Sequence, residues 1–113
     1  MKGAMVVTWT GTRPGRERLS LIYGRDVDDF FGKFVAEGKC TSPTWFFART
    51  GPSLWVVEGE IEDLLMISAS PEAQNLIAKG PLLNEGFTVE FCSTERDTMF
   101  ANWEGILDEL KIG

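Results

Sequence analysis

Histidine is absent from the 113 residues, cysteine appears twice, and no apolar run approaches the ~20 residues needed for a membrane-crossing helix. Each absence removes a class of chemistry. Without imidazole there is no His general base, no Ser-His or Cys-His nucleophile, and no His ligand for haem, zinc, copper or non-haem iron. Cys40 and Cys92 give neither a disulfide framework nor a metal-ligand spacing, so no metal and no cofactor are expected, and a reduced cytoplasmic protein is. Positive charge is also scarce, with 11 Lys and Arg against 17 Asp and Glu, a formal net charge of -6. Apart from Arg13, Arg16 and Arg18 the basic residues are scattered, which argues against nucleic acid and against anionic membrane surfaces. Any chemistry left must use carboxylates, Tyr, Arg, Lys, Cys or backbone groups.

What is present is a chain with 43% hydrophobic residues, enough for one domain over 1–113 with its own core. The first residues, Met1 to Trp9, hold a short apolar stretch without a small-residue cleavage site and read as a strand rather than a signal peptide. In mid-chain, Thr44-Trp45-Phe46-Phe47-Ala48-Arg49 and Leu54-Trp55-Val56-Val57-Glu58 flank Thr50-Gly51-Pro52-Ser53, two aromatic and β-branched strands joined by a short loop. A strand over Ala4–Thr10 precedes them, and one over Gly86–Cys92 follows.

Between these strands the period changes to that of helices. Leu19, Ile22, Tyr23, Val27, Phe30, Phe31, Phe34 and Val35 recur at helical spacing, with Thr12 as an N-cap, Pro14 early in the helix and Gly38 as a C-cap. Residues 60–69 read as a short helix. Ser70-Pro71 starts another that stops at Gly80-Pro81, and 94–111 reads as a last amphipathic helix. The fold class is therefore α+β: a β-α-β-β-α-β, ferredoxin-like antiparallel sheet over 4–92, covered by helices on one face, with an extra C-terminal helix.

Side-chain alternation sorts the sheet into two faces. With a four-residue loop, Arg49 pairs with Leu54, Phe47 with Val56 and Trp45 with Glu58. The open face then carries Arg49, Trp45, Phe47, Val56 and Glu58, joined by Thr88, Glu90 and Cys92. Trp55, Val57, Phe87, Val89 and Phe91 lie under the helices. An aromatic and aliphatic open face calls for cover, and a second copy packed sheet to sheet provides it while enclosing a cavity.

The element order, the Trp-Phe-Phe/Leu-Trp-Val-Val hairpin and the helix that begins Ser70-Pro71-Glu72 and ends Lys79-Gly80-Pro81-Leu82 resemble the dimeric α/β-barrel superfamily. That group includes antibiotic-biosynthesis-type monooxygenases and muconolactone-isomerase-like enzymes. The resemblance implies a homodimer joined through the open sheet faces. Its His-dependent members are not matched. Its cofactor-free oxygenases use Trp, Tyr and Asn around a polyaromatic substrate, and Trp9, Trp45, Trp103, Tyr23 and Asn102 are the residues of those types on offer.

Two functions follow as expectations. The first is binding of a small, mostly apolar molecule in the inter-sheet cavity without catalysis, by Arg49, Trp45, Phe47, Val56 and Thr88. The second is a cofactor-free monooxygenase or isomerase in the same cavity, with Glu58 and Glu90 as catalytic carboxylates, one raised toward neutrality by burial, and Arg49 holding a substrate carboxylate. Plainer roles exist for all three, as solvated groups or as an ion pair at the dimer rim.

Overall fold

A computed structural model describes residues 1–111. Its central strand β1 (Lys2–Trp9) is followed by a two-residue strand β2 (Gly11–Thr12), helix α1 (Glu17–Ala36), the hairpin β3 (Thr44–Phe46) and β4 (Ser53–Glu60), helices α2 (Ile61–Ser68) and α3 (Pro71–Leu83), the short β5 (Asn84–Glu85), β6 (Thr88–Ser93) and α4 (Arg96–Leu110). The main sheet is antiparallel with order β3-β4-β1-β6, and β2 pairs with β5 in a second, two-stranded sheet. The expected ferredoxin-like architecture is borne out.

Alternation in β1 and β4 makes the core. Met5, Val7, Trp55 and Val57 point to one side, where they meet Tyr23, Val27, Phe30 and Phe31 of α1 and Leu64 and Ile67 of α2. Burying side chains of that size contributes roughly 1.5–3 kcal/mol each. The early part of α1 departs from the expected apolar face, because Leu19 and Ile22 are exposed and the buried row starts at Tyr23. Ser70 caps α3 by accepting a bond from the Ala73 N–H at 3.2 Å, with Pro71 in the first helical turn, as expected.

Three boundaries are corrected. Thr12 lies in β2 and does not cap α1, whose N-cap is Arg16, and Pro14 precedes that helix. The reason is the pairing of Gly11 with Glu85 and of Thr12 with Asn84, a tertiary ladder that local propensity does not encode. Helix α3 continues through Pro81 to Leu83. Its terminal carbonyls are met from outside: Arg13 Nε donates to Pro81 O at 2.8 Å, and the Arg13 N–H to Leu83 O at 2.9 Å. Arg16 donates to Leu82 O as well, so two members of the one basic cluster serve a helix C-terminus. The last core strand starts at Thr88 rather than Gly86 because Gly86, at φ +63°, turns the chain out of β5.

The hairpin register is the correction that matters for function. Trp45 pairs with Trp55, Phe46 with Leu54 and Thr44 with Val56, a shift of three residues from the expected pairing. β3 ends at Phe46, and the loop runs from Phe47 to Pro52, closed by the Ala48 N–H donating to Ser53 Oγ at 2.9 Å. An odd shift exchanges faces. Trp45 therefore lies under α1, and Thr44 and Phe46 take the open face. Burial decides the matter, since a Trp ring and its N–H find partners only on the helix side.

Gly80 of α3 is buried against the Phe87 ring, and a Cβ there would collide with it. Gly80→Ala is expected to destabilise the protein by about 1–3 kcal/mol despite the better helix propensity of Ala, because overpacking outweighs that gain. A fall of several degrees in the thermal midpoint checks it; an unchanged or raised midpoint would show that Phe87 is free to move.

Helix α4 contains no buried residue. Phe100, Trp103, Ile106, Leu107 and Leu110 are all exposed, and the radius of gyration is 16.6 Å. A compact chain of this length would measure ~13 Å, so α4 stands away from the body.

Candidate functional site

The corrected register gathers the aromatic residues at one end of the sheet, on the helix side. The Trp45 ring stacks on Phe47 (centroids 5.9 Å, 7°), meets Trp9 edge-on (6.0 Å, 71°) and tilts against Trp55 (5.9 Å, 44°). Its Nε1–H donates to Asp28 Oδ1 of α1 at 2.9 Å, which fixes the ring's orientation. Trp9, Trp45 and Phe47 form one wall of an open groove of about 450 Å³, and Leu21, Gly24 and Arg25 of α1 belong to the other. Small-molecule sites commonly have this size and this aromatic bias.

Behind the groove lies a chamber of about 30 Å³ bounded by Tyr23, Trp55, Phe87 and Asn84. Trp9, Ser20, Gly24 and Trp45 line both spaces and form the neck between them. The chamber has room for one water-sized group and no ring. Asn84 is 6% exposed, and its Oδ1 accepts from Ser20 Oγ at 2.9 Å and from Thr12 Oγ1 at 3.4 Å. The β2–β5 ladder places Thr12 directly opposite Asn84.

Tyr23 donates its hydroxyl to Leu76 O at 2.8 Å, and burial pushes its pKa up to about 12. The unfolded phenol ionises near 10, so this contribution to stability is intact below pH 10. It is lost as pH rises toward 12, because the unfolded chain releases the proton first. The loss amounts to about 2–3 kcal/mol when complete. In Tyr23→Phe the stability curve between pH 10 and 12 is expected to flatten relative to wild type, which urea titrations at stepped pH would read. Parallel curves for the two proteins would remove Tyr23 as the cause.

The residues expected to share one site fall in three places. Trp45 and Phe47 belong to the groove. Val56, Glu58, Thr88 and Glu90 lie on the open face: Thr44, Val56, Val6 and Glu90 form one row across it, and Phe46, Leu54, Thr8 and Thr88 the next. Thr8 and Thr88 share a hydroxyl–hydroxyl hydrogen bond there. Glu58 and Glu90 are two strands and two residues apart, about 12 Å between Cα atoms from standard sheet spacings, too far for a shared proton. Arg49 is in the exposed hairpin loop and has no salt-bridge partner among the described residues. Trp103 and Asn102 are on α4, away from the other tryptophans.

Glu58 also borders a polar cleft with Cys40 and Asp63 at the opposite end of the sheet. Burial, and then the Asp63 carboxylate, push the Cys40 thiol up, which keeps it protonated at neutral pH and unsuited to nucleophilic work. Among the described residues, no three His, Cys, Asp or Glu side chains come together to hold a metal, and no helix is long and apolar enough to cross a membrane.

Sequence reasoning missed Asn84, Ser20, Thr12 and Gly24. Asn84 sits in Leu82-Leu83-Asn84-Glu85-Gly86, which reads as an ordinary helix exit, and only the β2–β5 pairing shows that it closes a chamber. Gly24 carried the one available signal: a glycine inside an amphipathic helix costs ~1 kcal/mol and asks for a reason.

The sequence matches no protein-family model and no curated protein. The fold does match solved structures. Rv0793 from Mycobacterium tuberculosis superposes with a TM-score of 0.63 at 17% identity, over 82% of this chain and 94% of that one. SO0527 from Shewanella oneidensis gives 0.60 at 18% identity, over 80% and 87%. A structure described as an antibiotic biosynthesis monooxygenase gives 0.50 at 18% identity, over 80% and 97%. At these identities the likeness establishes the ferredoxin-like fold and nothing finer.

Proposed function

We propose that this chain is a homodimeric barrel protein that binds a small, planar, mostly apolar molecule in the groove between α1 and the end of β3. The observation that carries the reading is the aromatic wall of Trp9, Trp45 and Phe47, oriented by the Trp45–Asp28 hydrogen bond and open to a volume suited to a two- or three-ring molecule. The ligand seat is thus assigned to the helix side of the sheet, where the aromatic residues lie, and not to the space between two sheets.

The open face goes to the second copy. Val6, Leu54 and Val56 keep part of their surface exposed within one protomer, and Phe46 is 52% exposed. An apolar sheet surface of this kind seeks cover, and a twofold partner supplies it with an identical surface. Val56, Thr88, Glu58 and Glu90 then belong to the interface. A reducing, cytoplasmic setting suits the two free thiols, Cys40 and Cys92.

A second reading is favoured by one specific convergence. Trp9, Trp45, Tyr23 and Asn84 surround a single chamber, the residue types that cofactor-free oxygenases of this fold place around polyaromatic substrates, with Asn84 in the part expected of Asn102. The neighbour described as an antibiotic biosynthesis monooxygenase shares that fold. On this reading a substrate CH₂ loses two hydrogens and gains one oxygen atom from O₂, the other oxygen leaving as water, and the substrate supplies the electrons.

Both readings are tested on the same sample. Titration with fluorene, a planar three-ring hydrocarbon, is expected to quench the tryptophan fluorescence saturably at micromolar concentrations. No quenching up to the solubility limit would sink the groove reading. Oxygen uptake with anthrone above the uncatalysed rate would select the oxygenase; binding without uptake would select the ligand carrier.

A further inference from the structure

Helix α4 is a poor helix to leave in water. It has 15 residues, a length at which an isolated helix is marginal, and Gly105 lies inside it. Its N-cap residue, Glu95, supplies no side-chain cap. Glu104 and Asp108 stand one turn apart as a like-charge pair, and the last turn holds acids and no base, against the helix dipole. Such a helix persists when its apolar stripe is covered. Phe100, Trp103, Leu107 and Leu110 recur at three and four residues and are all exposed, and the acidic pair runs along their border. The fitting cover is apolar with positive charge beside it.

This chain carries a surface of that kind. Helices α1 and α3 run antiparallel, side by side: Lys33 pairs with Glu72 at 3.1 Å, the Tyr23 hydroxyl donates to Leu76 O, and Arg16 donates to Leu82 O. Leu19 and Ile22 fall on the flank of α1 that Lys33 turns toward α3, and Lys79 falls on the flank of α3 that carries Glu72. Leu19, Ile22 and Leu82 are exposed along this seam. Arg13 and Arg16 lie at its end, bonded to the last carbonyls of α3, and Lys79 is exposed beside it. Within one protomer the two surfaces are at opposite ends of the sheet. Helix α4 leaves from the Lys2 end of β1, where the Lys2 N–H donates to the Glu95 carboxylate, whereas α1 begins beyond the Trp9 end. Solved structures with this fold cover 80–82% of this chain, which leaves room for an element the size of α4 outside what they share.

We propose that α4 is an arm that docks on a second copy of this chain. Its stripe covers Leu19, Ile22 and Leu82 on the α1–α3 seam of that copy, and Glu104 and Asp108 meet the positive charge of Arg16 and Lys79. Arms exchanged both ways close a pair and do not start a filament. The contact goes beyond the sheet-to-sheet dimer and can fail while that dimer stands.

Trp103→Asp tests the arm without disturbing the body, because α4 buries no residue within its own protomer. Sedimentation equilibrium should show the dimer dissociation constant raised by about thirtyfold or more, the effect of losing an aromatic anchor. Far-UV circular dichroism should lose helix in proportion to the 15 residues of α4, since the uncovered helix melts. Glu104→Lys should weaken association severalfold, although the helix itself gains from losing its like-charge pair. Adding Lys79→Glu to it should restore part of that loss.

Carbodiimide coupling of an equilibrated mixture of light and heavy-isotope wild-type protein locates the arm. An amide between Lys79 and Glu104 or Asp108 in mixed-isotope peptides places α4 on the second copy. The same amide in single-isotope peptides alone places it on its own body and overturns the proposal. An unchanged dissociation constant and helix signal in Trp103→Asp also overturn it, and leave the sheet-face dimer standing. A wild-type monomer ends both. A wild-type dimer from which a protease removes α4 as fast as it cuts an unfolded peptide would refute the docked arm and leave the stripe to another protein.

Discussion

Replacing Val56 by Asp is expected to yield a folded monomer. Val56 sits at the middle of the open face, between Thr44 of β3 and Val6 of β1, so in a face-to-face dimer it lies near the centre of the interface. In the lone protomer it is half-buried, and an Asp there keeps contact with water at a cost of about 1–2 kcal/mol from strand propensity and lost burial. In the dimer the same carboxylate loses water without gaining a partner, at about 2 kcal/mol or more. Twofold symmetry applies that penalty twice, so the dissociation constant should rise at least ~10³-fold. Sedimentation equilibrium reads the result directly, as a fall to the 12.6 kDa of one chain from twice that value. Phe47→Asp, on the other side of the sheet, is the control and should leave the mass unchanged. A wild-type protein that sediments as a monomer at tens of micromolar would end the dimer reading without recourse to the variant.

The open face was legible in β4 and β6, where Trp55, Val57 and Val89 fall under the helices and Val56, Glu58, Thr88 and Glu90 fall on the other side. β6 alternates Val89 and Phe91 with Thr88, Glu90 and Cys92, which is contrast enough to fix its face. In β4 the bulk of Trp55 and the charge of Glu58 break the tie left by four apolar residues in succession at 54–57. β3 was not legible, because Trp45, Phe46 and Phe47 are three aromatic residues in succession and either parity buries one or two of them. Loop length had to break the tie, and a six-residue loop closed through Ser53 Oγ looks in sequence like a four-residue one. That single ambiguity put Trp45 and Phe47 on the open face, whereas Trp45 pairs with Trp55 on the helix side. The chamber was hidden for a different reason. It depends on residues 12, 20, 24 and 84 meeting through a two-residue ladder, and contacts of such sequence separation leave no periodic trace. Helix α4 was legible as an element but not as an outlier, since an amphipathic pattern promises a buried face and does not say which chain supplies the cover.

Trp45→Ala is expected to abolish measurable ligand uptake while the dimer persists. Its ring is the hub of the wall: it stacks on Phe47, meets Trp9 edge-on and is locked by Asp28, and it lines both groove and chamber. Removing it takes away the stacking surface and frees Phe47, already 75% exposed, to leave the wall. Truncating an aromatic anchor at the centre of a binding site commonly costs 2 kcal/mol or more, about thirtyfold or beyond in affinity. Folding stability should fall as well, by ~1–3 kcal/mol, because the ring also covers Trp55. Trp45→Phe separates the two effects. It keeps an aromatic face over Trp55 and loses only the N–H bond to Asp28, so stability should recover most of the way while affinity recovers in part, limited by a ring no longer fixed in orientation. Calorimetric titration of fluorene into both variants, alongside their thermal midpoints, supplies the comparison. Affinity that tracks stability across wild type, Phe and Ala would show that Trp45 acts only as core. Affinity lost in Ala beyond the stability change, with partial rescue in Phe, would place the ring in contact with the ligand, and the unchanged dimer mass would assign the binding site and the subunit interface to opposite faces of one sheet.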